Sequence, residues 1–125
     1  YTLSLHDALP IYAQVSEASP HRLVQMLMEG ALDRMAQAKG AMARGDIAQK
    51  GLLLGKAIDI LIGLRDGLNP KKTDDPAALQ QLDNLYAYMT TRLLEANSKS
   101  DVTMIDEVAG LMITLKEGWD GIATL

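Results

Sequence analysis

Leu82, Tyr86, Met89, Leu93 and Ala96 recur at intervals of three and four. Residues so spaced share one face of an α-helix, and such a face has to be buried against another element. Tyr88 and Arg92 lie four apart on the flank, where helical side chains meet. Asn97 comes where the pattern stops and suits a left-handed helix terminator. Farther on, Ile105, Val108, Met112, Leu115, Trp119 and Ile122 alternate by three and four in the manner of a bundle seam.

Punctuation divides the rest of the chain in the same style. Ser19 followed by Pro20 is an N-cap with proline at the first helical position, where its missing N–H costs nothing. The spacing predicts a first helix from Pro20 to about Arg44, with Val24, Leu27, Met28, Ala31, Met35, Ala38 and Met42 inward. Gln25, Glu29, Asp33 and Gln37 fall on its wet face. Gly45 ends that helix and Asp46 caps the next, which runs to about Leu68 with Leu54, Ala57, Ile58, Leu61 and Leu64 inward. Asn69-Pro70 stops it, because a residue before proline avoids the helical region. Asp75-Pro76 repeats the cap-then-proline start for the third helix, expected to end at Asn97. Similar lengths and short connections imply an all-α fold, an antiparallel four-helix bundle.

Composition narrows the function. In 125 residues there is no Cys and no Phe, and 48% of the chain is hydrophobic with only 4% aromatic. A single domain with a core of Leu, Ile, Ala and Met is expected, with neither disulfide nor thiol chemistry. A net charge of −4 argues against nucleic acid, which needs a basic face. The most apolar stretch, Ala57 to Leu64, contains Asp59 and is too short to span a bilayer. With no signal-like start, a cytoplasmic location without membrane insertion is the expectation.

No catalytic constellation stands out. His6 and His21 are the two histidines, too few for a di-iron or zinc site. Glu29 and Asp33 read as solvated, and no glycine-rich phosphate loop opens a helix. His21, beside a cap, is a poor phosphotransfer residue. The expectation is a non-enzyme with no cofactor and no metal.

Helix two is more apolar than a bundle helix requires. Leu53, Ile60 and Ile62 add to its inward stripe, and the polar arc shrinks to Lys56, Asp59, Gly63 and Asp66. Such a helix either buries a wide face internally or shares it with a partner. Both readings stay open on the residues alone. The glycines Gly51, Gly55, Gly63 and Gly67 border this arc, and an unselected exposed edge is the simpler account of them.

The segment from Leu85 to Asn97 closely resembles the third helix of the FliS family of flagellin-specific export chaperones. Ser19 to Leu27 resembles that family's first helix, Ala57 to Leu61 with Gly67-Leu68 its second, and Asp106-Glu107-Val108 with Trp119 its last. The match covers roughly Tyr12 to Ile122. The resemblance implies a cytoplasmic chaperone that binds the disordered C-terminal segment of flagellin, prevents premature polymerisation and delivers it to the export gate. It places Ile58, Ile62, Tyr88, Met89, Met112, Leu115 and Trp119 on or beside the client groove, with Tyr88 and Trp119 as anchors. Ile11 and Tyr12-Ala13-Gln14-Val15 resemble a short N-terminal arm that covers the groove when no client is bound and helps docking to the gate. Residues 1–11 are atypical, Thr2 to Ile11 reading as non-native, so the bundle domain is taken as 12–125. The competing reading is a structural bundle that self-associates through the same faces, and a homodimer of the client-free form belongs with it.

Overall fold

A computed structural model of the chain describes residues 19–122. These residues form four α-helices and no strand. They are α1 (Pro20–Ala43), α2 (Ile47–Asp66), α3 (Pro76–Lys99) and α4 (Val102–Asp120), with a single 3₁₀ turn at Pro70–Lys72 between α2 and α3.

Each helix starts at a side-chain cap. Ser19 accepts the Arg22 N–H, Asp46 that of Gln49, Asp75 that of Ala78 and Asp101 that of Thr103. An N-cap satisfies one of the donors a helix start leaves orphaned, and each contributes about 1 kcal/mol. Gly45 takes a φ of 71°. That left-handed backbone reverses the chain in three residues and lets the Asp46 N–H return to the Ala41 carbonyl at 2.9 Å.

The third helix ends differently from the sequence expectation. It continues past Asn97 to Lys99, and the left-handed residue is Ser100, with φ 49° and ψ 49°. The Asp101 N–H returns to Ala96 at 3.0 Å, closing the helix one turn later. Asn97 stays helical because its orphan carbonyl has a partner elsewhere: the Lys50 ammonium donates to it at 2.9 Å.

The helices form a ring in which α1 packs on α2 and α4, and α3 on α2 and α4. The cross-links Gln25–Asp120, Glu29–Lys116 and Lys39–Asp106 run in opposite chain directions along α1 and α4, so these neighbours are antiparallel. The core holds Leu27, Met28, Met35, Leu54, Leu61, Leu93 and Ile105 among others, and Ala31, Ala38, Ala41 and Ala57 let the backbones approach. Two of the three surplus apolar residues of α2, Leu53 and Ile60, are also core, as is Gly63, which the sequence placed on the polar arc. Since α2 meets α1 on one side and α3 on the other, its buried arc is wide. Ile122, expected to close the α4 seam, lies beyond the helix and is exposed.

Candidate functional site

Two charged clamps fix α3 between its neighbours. Toward α2, Arg65 grips Asp83 with two parallel bonds, Nε to Oδ1 at 2.7 Å and Nη2 to Oδ2 at 3.1 Å. This fork geometry suits guanidinium and carboxylate, and the bond from Arg65 holds the Asp83 carboxyl below its usual range. Toward α4, Glu107 receives the Tyr88 hydroxyl and also Arg92, through Nε at 2.9 Å and Nη2 at 2.8 Å. The Tyr88 bond first, then the Arg92 bond, keep Glu107 below the usual carboxylate range, and the same contact raises the Tyr88 phenol. The Arg92 guanidinium also sits 6.0 Å from the Tyr88 ring centroid, closing the triangle.

Between these clamps the exposed positions of α3 are Asn84, Tyr88, Thr91 and Leu94, and the apolar one on the α2 side is Leu94. The Arg65–Asp83 pair marks one end of the α2–α3 seam. At the other end a Cβ added to Gly51 would meet Asn97 at 3.9 Å. Antiparallel register between these points brings Ile62 of α2 opposite Ala87 of α3, Ile58 opposite Thr90 and Gly55 opposite Leu94. Ile62 is 44% exposed and Leu94 54%, while Ile58 is half-buried. A side chain at Gly55 would meet nothing within 4 Å, so the seam opens there. The Thr90 hydroxyl is already used, donating to the Tyr86 carbonyl at 2.9 Å. The furrow therefore offers the apolar side chains of Ile58, Ile62 and Leu94 with the Thr90 hydroxyl between them already engaged, a surface on which an amphipathic helix can lie.

The residues expected to bind a partner separate into four places. Ile58 and Ile62 lie in the α2–α3 furrow, and Tyr88 is on the α4 side of α3, 45% exposed but with its hydroxyl engaged. Leu115 and Trp119 line an apolar cavity of about 170 Å³ at the end of the bundle where α1 starts, together with Leu23, Leu27, Leu64 and Tyr86. Trp119 is half-buried there; its indole N–H donates to the His21 carbonyl at 2.9 Å, and its ring stacks on the His21 imidazole. Met89 and Met112 have no exposed surface and belong to the core, because the positions that set the α3 and α4 stripes point to the bundle axis. Ile11 and Tyr12 of the arm lie outside the described residues.

Two residues escaped the sequence reading. Leu94 lies one helical turn from Thr90 on the α2 side of α3, and its apolar exposure could have been noticed from that spacing alone. Lys50 is 5% exposed, although nothing apolar about its type suggests burial. Its signal was position: it stands three and four residues before the core residues Leu53 and Leu54. Among the described residues no group of three or more His, Cys, Asp and Glu is gathered to hold a metal, and no helix is long and apolar enough to cross a membrane. Glu29, considered as an acidic candidate, is tied to Arg22 and Lys116.

This arrangement of helices and furrow can be set beside known proteins. The family model described as "Flagellar protein FliS" matches residues 7–125. The chain belongs to the FliS family. It is similar to the flagellar secretion chaperone FliSB of Pseudomonas aeruginosa, 50% identical over 118 residues that cover 94% of this chain and 92% of that one. The flagellar secretion chaperones FliS of Vibrio cholerae and Salmonella typhimurium are 42% and 40% identical, over 97% and 98% of this chain and 88% and 93% of theirs. For a FliS-family chain, the clamped third helix with an apolar furrow on its α2 side is the arrangement that a binding role has to explain.

Proposed function

We propose that this protein is a cytoplasmic export chaperone that binds the disordered C-terminal segment of flagellin, holds it back from polymerisation and delivers it to the flagellar export gate. The observation that carries the reading is the α2–α3 furrow, where Leu94 stands exposed opposite the open space at Gly55 and Ile62 stands exposed two turns farther along α2. A disordered client loses conformational entropy when it orders, and a long apolar furrow offsets that loss. Its amphipathic segments lay their apolar positions against Ile58, Ile62 and Leu94, and a second stretch crosses α3 toward Tyr88. Binding and release involve no bond chemistry, in keeping with a family whose curated members are named as secretion chaperones.

Calorimetric titration of the full chain with a flagellin C-terminal peptide tests this. A 1:1 complex with a strongly negative heat-capacity change is expected, since folding on binding buries apolar area. A stable dimer that ignores the peptide, seen by light scattering, would replace the reading with self-association through the same furrow.

A further inference from the structure

The end of the bundle remote from the apolar cavity holds a buried cation with no anionic partner. Lys50, in the first turn of α2, is 5% exposed. Its ammonium donates to the Asn97 carbonyl at 2.9 Å and to Ser100 Oγ at 2.7 Å. Both acceptors are neutral, and among the described residues no carboxylate pairs with it. An ammonium has three N–H donors, so two bonds leave one over. Taking a charge out of water is costly unless it is paired, and the α3 C-terminal carbonyls supply only partial negative charge.

Lys50 and Ser100 line an open groove of about 360 Å³ between the α1–α2 and α3–α4 turns. Its rim carries Ile47, 73% exposed, and Val102, 40% exposed, the first residues of α2 and α4. Lys39 adds a second cation at the edge, salt-bridged to Asp106 at 2.5 Å. Asp46, the acidic residue of the wall, is turned to its own helix, where Oδ1 accepts the Gln49 N–H at 3.1 Å. Beta-branched side chains standing this far into solvent beside a buried, under-paired ammonium make a surface that is apolar at the rim and cationic at the floor.

We propose that this groove docks an extended segment of a partner protein in which a carboxylate side chain is flanked by apolar ones. The carboxylate takes the remaining Lys50 N–H, and the apolar neighbours lie across Ile47 and Val102. The site is separate from the α2–α3 furrow and stands or falls independently of the client proposed there.

The test uses the ¹⁵N-labelled full chain and the peptide acetyl-Ala-Leu-Glu-Leu-Ala-amide, with its Gln counterpart as the uncharged match. Saturable amide shifts are expected at Gly45, Ile47 and Ser100. The Gln peptide should bind at least about tenfold more weakly, the size of a lost charge-assisted bond. Ile47→Ser should weaken the Glu peptide severalfold without touching the Lys50 bonds, and Lys50→Met should erase the preference for Glu over Gln. Equal binding of the two peptides, or shifts spread over the surface instead of this groove, would overturn the proposal. So would hexanoate saturating the groove when the Glu peptide does not, since the site would then take free aliphatic acids. If Lys50→Met fails to fold, the peptide pair and Ile47→Ser still decide the matter.

Discussion

The Trp119 indole N–H donates to the His21 main-chain carbonyl at 2.9 Å, and the two rings stack with centroids 4.9 Å apart and planes within 13°. The contact joins the first turn of α1 to the last turn of α4. His21 has a place in the fold after all: it covers one face of the single tryptophan. The indole's polar atom is thereby used within the chain, and its apolar face is what remains to line the end cavity.

Trp119→Phe removes that hydrogen bond, while the His21 carbonyl, in the first turn of α1, keeps its place in the helix ladder. A loss of about 1 kcal/mol in unfolding free energy is expected from urea denaturation. His21→Ala keeps the main-chain carbonyl and loses only the stacked ring, so it should cost less than Trp119→Phe. The reverse order would mean that the stack, and not the hydrogen bond, ties α1 to α4.

Tyr86 gives a test at high pH. It is 3% exposed, its hydroxyl has no hydrogen-bond partner among the described residues, and burial pushes the phenol up to about 12 from 10.0. The neutral form is favoured in the fold, so the unfolded chain ionises first. Stability from this residue is complete below pH 10 and falls as pH rises from 10 toward about 12, by about 1.4 kcal/mol per pH unit. Tyr86→Phe should remove that part of the alkaline loss while leaving stability at pH 7 nearly unchanged, because the ring that fills the site is kept and only a hydroxyl without a protein partner is lost. Unfolding curves of the two proteins at pH 7 and pH 11 check both statements; a variant clearly weaker at pH 7 would mean that the hydroxyl is bonded.

At low pH the α3–α4 clamp should open. Glu107 is held below 4.5 by Tyr88 and Arg92. A carboxylate with a lowered folded pKa stabilises above its unfolded value, and that stability is lost as pH falls through the folded value. Glu107→Gln should therefore flatten the acid side of the stability profile, and Asp83→Asn should do the same for the α2–α3 clamp. Carboxyl chemical shifts followed from pH 6 to 2 would show Glu107 titrating below exposed glutamates if the clamp is formed in solution.

The helices were readable in the sequence because capping and periodicity agree: Ser19-Pro20, Gly45-Asp46 and Asp75-Pro76 are all where helices start or turn. What could not be read were effects that depend on a second helix. Asn97 has the residue type of a terminator, yet Lys50, forty-seven positions away, satisfies its carbonyl and lets α3 continue to Lys99. Met89 and Met112 stand on the stripes whose spacing already marks them for burial, and they are buried; it is the groove role implied for them by the resemblance that the structure does not support. The surplus on α2 was legible as a quantity but not as a direction. Leu53 and Ile60 point into the bundle, and Ile62 alone of the three points out.

That difference between quantity and direction sets up the decisive pair of substitutions. Ile62→Asp and Leu94→Asp place a charge on exposed positions of the α2–α3 furrow, where the free protein can hydrate it. Their unfolding free energies should stay within about 1 kcal/mol of the parent, as for most surface changes. A client helix seated on the furrow would bury that charge without a partner, so peptide affinity should fall by about tenfold or more, the equivalent of at least 1.4 kcal/mol. Met89→Ala acts in the opposite way. It empties a fully buried position and should cost about 2–5 kcal/mol of stability. Affinity for the flagellin peptide should remain near the parent value wherever the variant is still folded. Calorimetry and urea denaturation on the same samples separate the two effects. If Ile62→Asp and Leu94→Asp bind the peptide like the parent protein, the client lies elsewhere, and the exposed furrow has to be explained by something other than flagellin.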